Sequence, residues 1–269
     1  MYRYRRGVSG VTFLAVCANS VAASPRTTLF GPLPKPMPKT CKKGLAVKGA
    51  ESSVWLSRFE KFRPCWHYGW TYKDNLDLVP NYPSDIEYVP LVNKYHIEEP
   101  EPRAMLEKMA SEGRIQNLLG YNEPDLAGQG NMNVSEALRL WPKYEELKRI
   151  SEAAGQPLSL GGPVVAFSAL CGTGCKGAPP PCKHGNWQKD FMDGVSQRQL
   201  EVDFMPLHIY DIPDPEKFLT FVDDVHNCYG LPIWITEFAK RDWSANATKP
   251  NKYLWTLLRC WARHAPRCS

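Results

Sequence analysis

The sequence predicts an α/β domain built on a parallel sheet, and three observations carry that prediction. Seven short apolar runs read as strands buried on both faces. The stretches between them carry apolar residues at helical spacing. The two kinds of segment alternate strictly, which implies right-handed strand–helix–strand crossovers in a closed barrel or a doubly wound open sheet. With 269 residues, 43% apolar and 23% charged, the chain can bury one large core and lies outside the composition of disordered chains. No stretch approaches the roughly 20 consecutive apolar residues needed to cross a bilayer.

The first residues read as a leader rather than as fold. Arg3, Arg5 and Arg6 precede the apolar run Val11 to Ala18, and Val21-Ala22-Ala23 offers a small-residue cleavage site. That layout is a secretory signal over residues 1–23, with an Arg-rich transit peptide as the alternative. These three arginines account for most of the net charge of +5, so the charge gives no reason to expect nucleic acid, and no basic stripe appears elsewhere. Pro25, Pro32, Pro34, Pro36 and Pro38 mark residues 24–40 as an extended lead-in.

The folded domain is expected over residues 41–269. Its strands are predicted at 44–47, 65–70, 87–92, 117–121, 158–161, 202–209 and 232–236. Helices are predicted through Trp55, Phe59 and Phe62, and through Met105 and Met109 after Pro102. Asn133 caps a helix carrying Leu138, Trp141 and Leu147, which Pro142 should kink. Further helices carry Trp187, Phe191 and Val195, then Phe218, Val222 and Val225 after Asp214-Pro215, then Leu254, Leu258 and Trp261.

Removing the leader takes Cys17 and leaves Cys41, Cys65, Cys171, Cys175, Cys182, Cys228, Cys260 and Cys268. This even set suits disulfides in an oxidising compartment, with connectivity open. Cys171, Cys175, Cys182 and His184 could also hold zinc, but the spacing lacks a paired Cys-x-x-Cys and the loop is rich in Gly and Pro. Two sequons, Asn133-Val134-Ser135 and Asn246-Ala247-Thr248, fit a glycoprotein of the same compartment.

The chemistry gathers at two strand ends. The fourth predicted strand runs into Asn122-Glu123-Pro124-Asp125, and the seventh into Thr236-Glu237-Phe238. A dinucleotide-binding open sheet would show a Gly-x-Gly-x-x-Gly turn after its first strand, and none follows Val47. In a (β/α)8 TIM barrel, the C-terminal strand ends surround one mouth, so Glu123 and Glu237 would face each other. Two carboxylates are the minimum for cleaving a glycosidic bond, one protonating the leaving oxygen and the other acting as nucleophile or base. Taken singly, Glu123 could belong to a helix-start turn capped by Asn122, and Glu237 could be a solvated carboxylate.

The segments 118–125 (LLGYNEPD) and 231–239 (LPIWITEFA) resemble the signature segments of glycoside hydrolase family 128, secreted barrel enzymes acting on β-1,3-glucans. The resemblance extends to 43–46, 66–70, 87–91 and 202–210. It implies Glu123 as general acid/base, Glu237 as nucleophile and Asn122 as the amide bonding the sugar 2-hydroxyl. It further implies a retaining, monomeric endo-β-1,3-glucanase, secreted to the medium or cell wall, that needs no metal or cofactor and binds neither nucleic acid nor membrane. Tyr68, Trp70, His208 and Tyr210 alternate along two strands and supply the expected sugar platform, with Trp66 and His208 the residues most expected in barrel packing.

One feature departs from that pattern. At this strand spacing an eighth strand is due near residue 263, where 263–269 reads RHAPRCS. The eighth strand is therefore expected to be missing or degenerate, leaving the first and seventh strands with open edges. A non-catalytic glucan-binding protein on a truncated barrel, or a barrel enzyme for another β-glycan, are the competing expectations.

Overall fold

The computed structural model describes residues 14–16, 43–47, 52–74, 86–166, 186–210, 212 and 214–239. The chain alternates short strands with helices: β1 (Leu14–Val16), β2 (Lys43–Ala46), α1 (Ser52–Phe62), β3 (Trp66–Tyr68), β4 (Glu87–Tyr88), α2 (Lys94–Glu98) and α3 (Pro100–Ser111). There follow β5 (Asn117–Leu119), α4 (Val134–Leu140), α5 (Pro142–Ala153), β6 (Ser159–Gly161), α6 (Trp187–Arg198), β7 (Met205–Tyr210), α7 (Pro215–Tyr229) and β8 (Ile233–Ala239). All seven predicted strands are present, most of them shorter than the apolar runs that announced them. The predicted helix through Leu254 and Trp261, the zinc-type cluster at 171–184, the 246–248 sequon and residues 263–269 lie outside the described residues.

The strands form a six-stranded sheet in the order β4-β3-β2-β1-β8-β7 and a two-stranded sheet β5-β6, so among the described residues the closed barrel expected from sequence is not one continuous sheet. The β2–β3, β3–β4, β5–β6 and β7–β8 pairs are parallel. Isolated parallel bridges, Leu91 to Leu119 and Gly161 to Phe204, join β4 to β5 and β6 to β7. The ladder thins there for a local reason. Pro90 offers only its carbonyl, which accepts from Leu119 N–H at 2.8 Å, because proline has no donor to give a sheet.

The gap expected between the first and last core strands is filled. β1 lies between β2 and β8 and is antiparallel to both, with Leu14 opposite Leu45, Ala15 opposite Gly44, and Val16 opposite both Lys43 and Ile235. The apolar run read as the heart of a leader thus supplies a strand. A run of small and apolar residues satisfies either role, so sequence pattern does not separate them.

Helix boundaries follow their caps. Asp214 accepts from the N–H groups of Glu216 and Lys217, and α7 ends at Gly230 in the left-handed region (φ 68°). Pro142 does more than kink the helix carrying Leu138 and Leu147. It divides it into α4 and α5, with Trp141 as the last cap of one and the first of the other, since proline is accommodated at a helix start and not inside. Helix α2 escaped the sequence reading because it has a single buried residue, Ile97. It is set by a capping box in which Asn93 accepts from His96 N–H while the His96 ring accepts from Asn93 N–H.

The largest core cluster packs α3 to α6 against β5 and β6, with Trp141 stacked on Tyr144 at 4.6 Å between ring centroids. A second, aromatic cluster lies on the other side of the strands: Trp234 packs against Trp66 at 4.7 Å and stacks on Phe204 at 4.4 Å. Gly44 makes room for it, since a Cβ there would lie 2.2 Å from Trp66 Cε2. Trp66, expected in packing, is fully buried. This aromatic layer forms the floor under the strand ends that carry Glu123 and Glu237.

Candidate active site

Glu123 follows β5 in a backbone conformation that sequence does not advertise. Its φ is +44°, the left-handed region that costs a non-glycine residue about 1 kcal/mol or more and persists only where surroundings impose it. Here they do: Glu123 N–H donates to Val164 O at 2.8 Å, and its own carbonyl accepts from Leu126 and Gly130 N–H at 3.1 Å each. The loop folds back tightly, because a Cβ on Gly130 would lie 2.6 Å from Asn122 O. No helix begins until Val134, so Asn122 caps none, and the helix-start explanation of this segment does not hold. The Asn122 Oδ1 is buried with no hydrogen-bond partner among the described residues.

Glu237 is aimed by a bulge. Leu207 pairs with Ile235, but the next residue, His208, pairs with Glu237, so Thr236 is an extra residue on β8. A bulge of this kind re-aims the side chains that follow it. Without it, the alternation of a strand would put Glu237 on the opposite face from the one it uses. Thr236 is held on both sides, its hydroxyl donating to Leu207 O at 3.3 Å and its carbonyl accepting from Tyr68 O–H at 3.0 Å.

The two glutamates meet across His208. His208 Nδ1 is 3.0 Å from Glu123 Oε1, and its Nε2 is 3.4 Å from Glu237 Oε1. The imidazole is fully buried. Burial pushes its pKa down, but the charge of Glu237, the hydrogen bond to Glu123 and the charges of Glu123 and Asp125 outweigh this and hold it above the usual histidine value. Glu237 also accepts from Trp70 Nε1–H at 2.8 Å on Oε1 and from the Tyr210 hydroxyl on Oε2.

The predicted site residues therefore converge, in roles that differ from a simple sugar platform. Glu123, Glu237, His208, Tyr210 and Trp70 form one hydrogen-bonded group, with Asn122 beside Glu123. Tyr68 has no exposed surface, and its hydroxyl donates to Thr236 O and also interacts with Glu237, so it supports the bulge from below. Its phenol pKa is raised well above the ordinary value by burial first and then by the charge of Glu237. One donor atom each from Glu123, His208 and Glu237 lie within 4.8 Å of one another, a spacing a divalent cation could use. The same spacing equally serves a carboxylate pair bridged by a shared imidazole.

Residues 44–261 match the family model described as the glycosyl hydrolase catalytic core. The chain belongs to this glycosyl hydrolase family. The Alkali-sensitive linkage protein 1 of Schizosaccharomyces pombe is 31% identical over 127 residues, and the match covers 47% of this chain but only 20% of that relative. Among solved structures, the glycosyl hydrolase is similar to a family 128 (subgroup I) endo-β-1,3-glucanase of Amycolatopsis mediterranei in complex with laminaritriose. That similarity has 26% identity and a TM-score of 0.60, and covers 81% of this chain and 82% of the other. A family 128 (subgroup III) curdlan-specific exo-β-1,3-glucanase of Blastomyces gilchristii, in complex with glucose, is 25% identical with a TM-score of 0.55, covering 80% of each chain. The family 128 resemblance read from the two signature segments is thereby borne out.

Proposed function

We propose that this glycosyl hydrolase is a secreted, monomeric, retaining endo-β-1,3-glucanase on a (β/α)8-type barrel. The observation that carries the reading is the approach of Glu123, just after β5, and Glu237, on β8, to within 4.8 Å of each other across His208. Retention needs carboxyl groups about 5–5.5 Å apart, whereas inversion needs about 6.5–9.5 Å to admit a water between sugar and base. The binding of laminari-oligosaccharides by the Amycolatopsis neighbour favours β-1,3-glucan as substrate.

In this mechanism a Glu237 oxygen attacks the anomeric carbon while Glu123 gives a proton to the leaving glycosidic oxygen. A water then attacks the same carbon, loses its proton to Glu123 and releases Glu237. His208 Nδ1, 3.0 Å from Glu123 Oε1, keeps that carboxyl group in place for the transfer. The open Oδ1 of Asn122 accepts from the 2-hydroxyl, a bond that strengthens as oxocarbenium character develops. Cys65 and Cys228, each engaged in a disulfide, and the basic leader support an oxidising, extracellular location. No helix among the described residues is long and apolar enough to cross a membrane.

The test is hydrolysis of laminarin by the wild type and by Glu237→Gln. Reducing-sugar release that the substitution abolishes is the expected result, with β-configured hemiacetal as first product by proton NMR and oligosaccharides rather than glucose alone. Laminarin binding without hydrolysis would identify a non-catalytic glucan-binding protein, and preference for cellulose, xylan or mannan would redirect the substrate.

A further inference from the structure

Trp70 was expected to stack on sugar, yet its indole N–H points at the attacking residue. The bond to Glu237 Oε1, at 2.8 Å, is shorter than the approach of His208 to the same oxygen. The backbone is arranged to make it. Gly69 passes so close to β2 that a Cβ there would lie 2.9 Å from Val47 O. Trp70 then takes a left-handed φ of +55°, a conformation that a side chain of its size adopts only under constraint. The constraint is Thr71, whose carbonyl accepts from both Leu91 N–H at 3.0 Å and Tyr88 O–H at 2.8 Å. The ring itself is partly buried against the aromatic cluster, 5.0 Å from Tyr68.

A ring needed only as a stacking surface has no use for a fixed N–H direction. We propose that Trp70 is a positioning residue, whose indole N–H and strained backbone fix the rotamer of the Glu237 carboxylate while Tyr210 holds its second oxygen. Held by Trp70 on one oxygen and Tyr210 on the other, the carboxylate plane is kept from rotating, and attack starts from one geometry. This role rests on Glu237 being the nucleophile of a glycosidase.

Two measurements on the full chain test it. Trp70→Phe keeps an aromatic face and removes the donor, so kcat on laminarin should fall on the order of 10²-fold, as for loss of one preorganised donor, with KM almost unchanged. In 15N-tryptophan-labelled protein, the Trp70 indole resonance, identified by its loss in Trp70→Phe, should move upfield in Glu237→Gln while the other indole resonances stay. A Trp70→Phe enzyme that keeps its kcat and loses only KM would reduce Trp70 to a platform. An indole resonance indifferent to Glu237→Gln would deny the bond itself. An inactive wild type would instead remove the glycosidase reading, and the positioning role with it.

Discussion

His208 and Glu123 share a 3.0 Å hydrogen bond in a fully buried setting, with Glu237 3.4 Å from the other ring nitrogen. The imidazole faces Glu123 and Asp125 from the β5 loop, Tyr210 from its own strand, and Glu237 from β8 beside it. Its pKa is raised in the fold because these carboxylates overcome the opposing effect of burial. A raised histidine pKa contributes stability that is fully present below about 6.5 and is lost as pH rises through the folded value. Thermal unfolding of the wild type should therefore weaken from neutral to alkaline pH, with activity falling along the same limb. His208→Gln should be less stable at pH 6 and show a shallower decline above it, read by melting temperature across pH 6 to 9.

A second group predicts a different window. Glu87, at the start of β4, accepts from Gln116 N–H, Asn117 N–H and the Asn117 amide at 3.0 to 3.3 Å. Burial nevertheless pushes its pKa from 4.5 up to about 7, the hydrogen bonds opposing the rise. Because the folded value is raised, the chain loses stability as pH climbs from the ordinary carboxylate range through about 7. Glu87→Gln keeps an acceptor for the backbone N–H groups and removes the charge. Its melting temperature should equal or exceed that of the wild type at pH 7.5, with the advantage disappearing at pH 4.5. A variant less stable than wild type at both pH values would mean that the ionised carboxylate is needed.

Asn122→Ala tests the open amide. Its Oδ1 is buried without a partner among the described residues, so removing it leaves the folded protein nearly untouched. An interaction made chiefly in the transition state lowers kcat and kcat/KM together. The expected loss is on the order of 10²-fold in kcat, with little change in melting temperature. A rise in KM at constant kcat would show instead that Asn122 binds ground-state sugar.

The strands and most helices were legible in the sequence because apolar periodicity and capping residues act locally, as with Asp214-Pro215 at the start of α7 and Gly230 at its end. Glu123 and Glu237 were legible because strand ends in a parallel sheet share one side. What aims them was not. The bulge at Thr236 is a matter of register between two strands, and β8 alone carries no sign of it. The strained turns at Trp70 and Glu123 lack the glycine that would have flagged them. His208 and Tyr210 were found through their alternation on one strand. That alternation showed a shared face, but it could not say whether the face met sugar or carboxylate. The role of Leu14–Val16 was hidden because its pairing partners lie far along the chain, at Leu45 and Ile235.

That strand supports the last prediction. β1 bridges the edges of β2 and β8 through Ala15 opposite Gly44 and Val16 opposite Ile235, so a chain lacking residues 1–23 exposes both edges. Each ladder hydrogen bond contributes about 1 kcal/mol net, and a kcal/mol moves the melting temperature of a domain this size by about 2–4 °C. The shortened chain should therefore melt several degrees below the full chain and aggregate more readily through its open edges. The secreted form should behave as the shortened chain does, because cleavage after Ala23 removes the same segment. Intact mass of the protein from the medium identifies which form is present, and calorimetry of both forms reads the difference. Equal melting temperatures would show that β1 adds nothing to the fold and that its residues serve only as the leader.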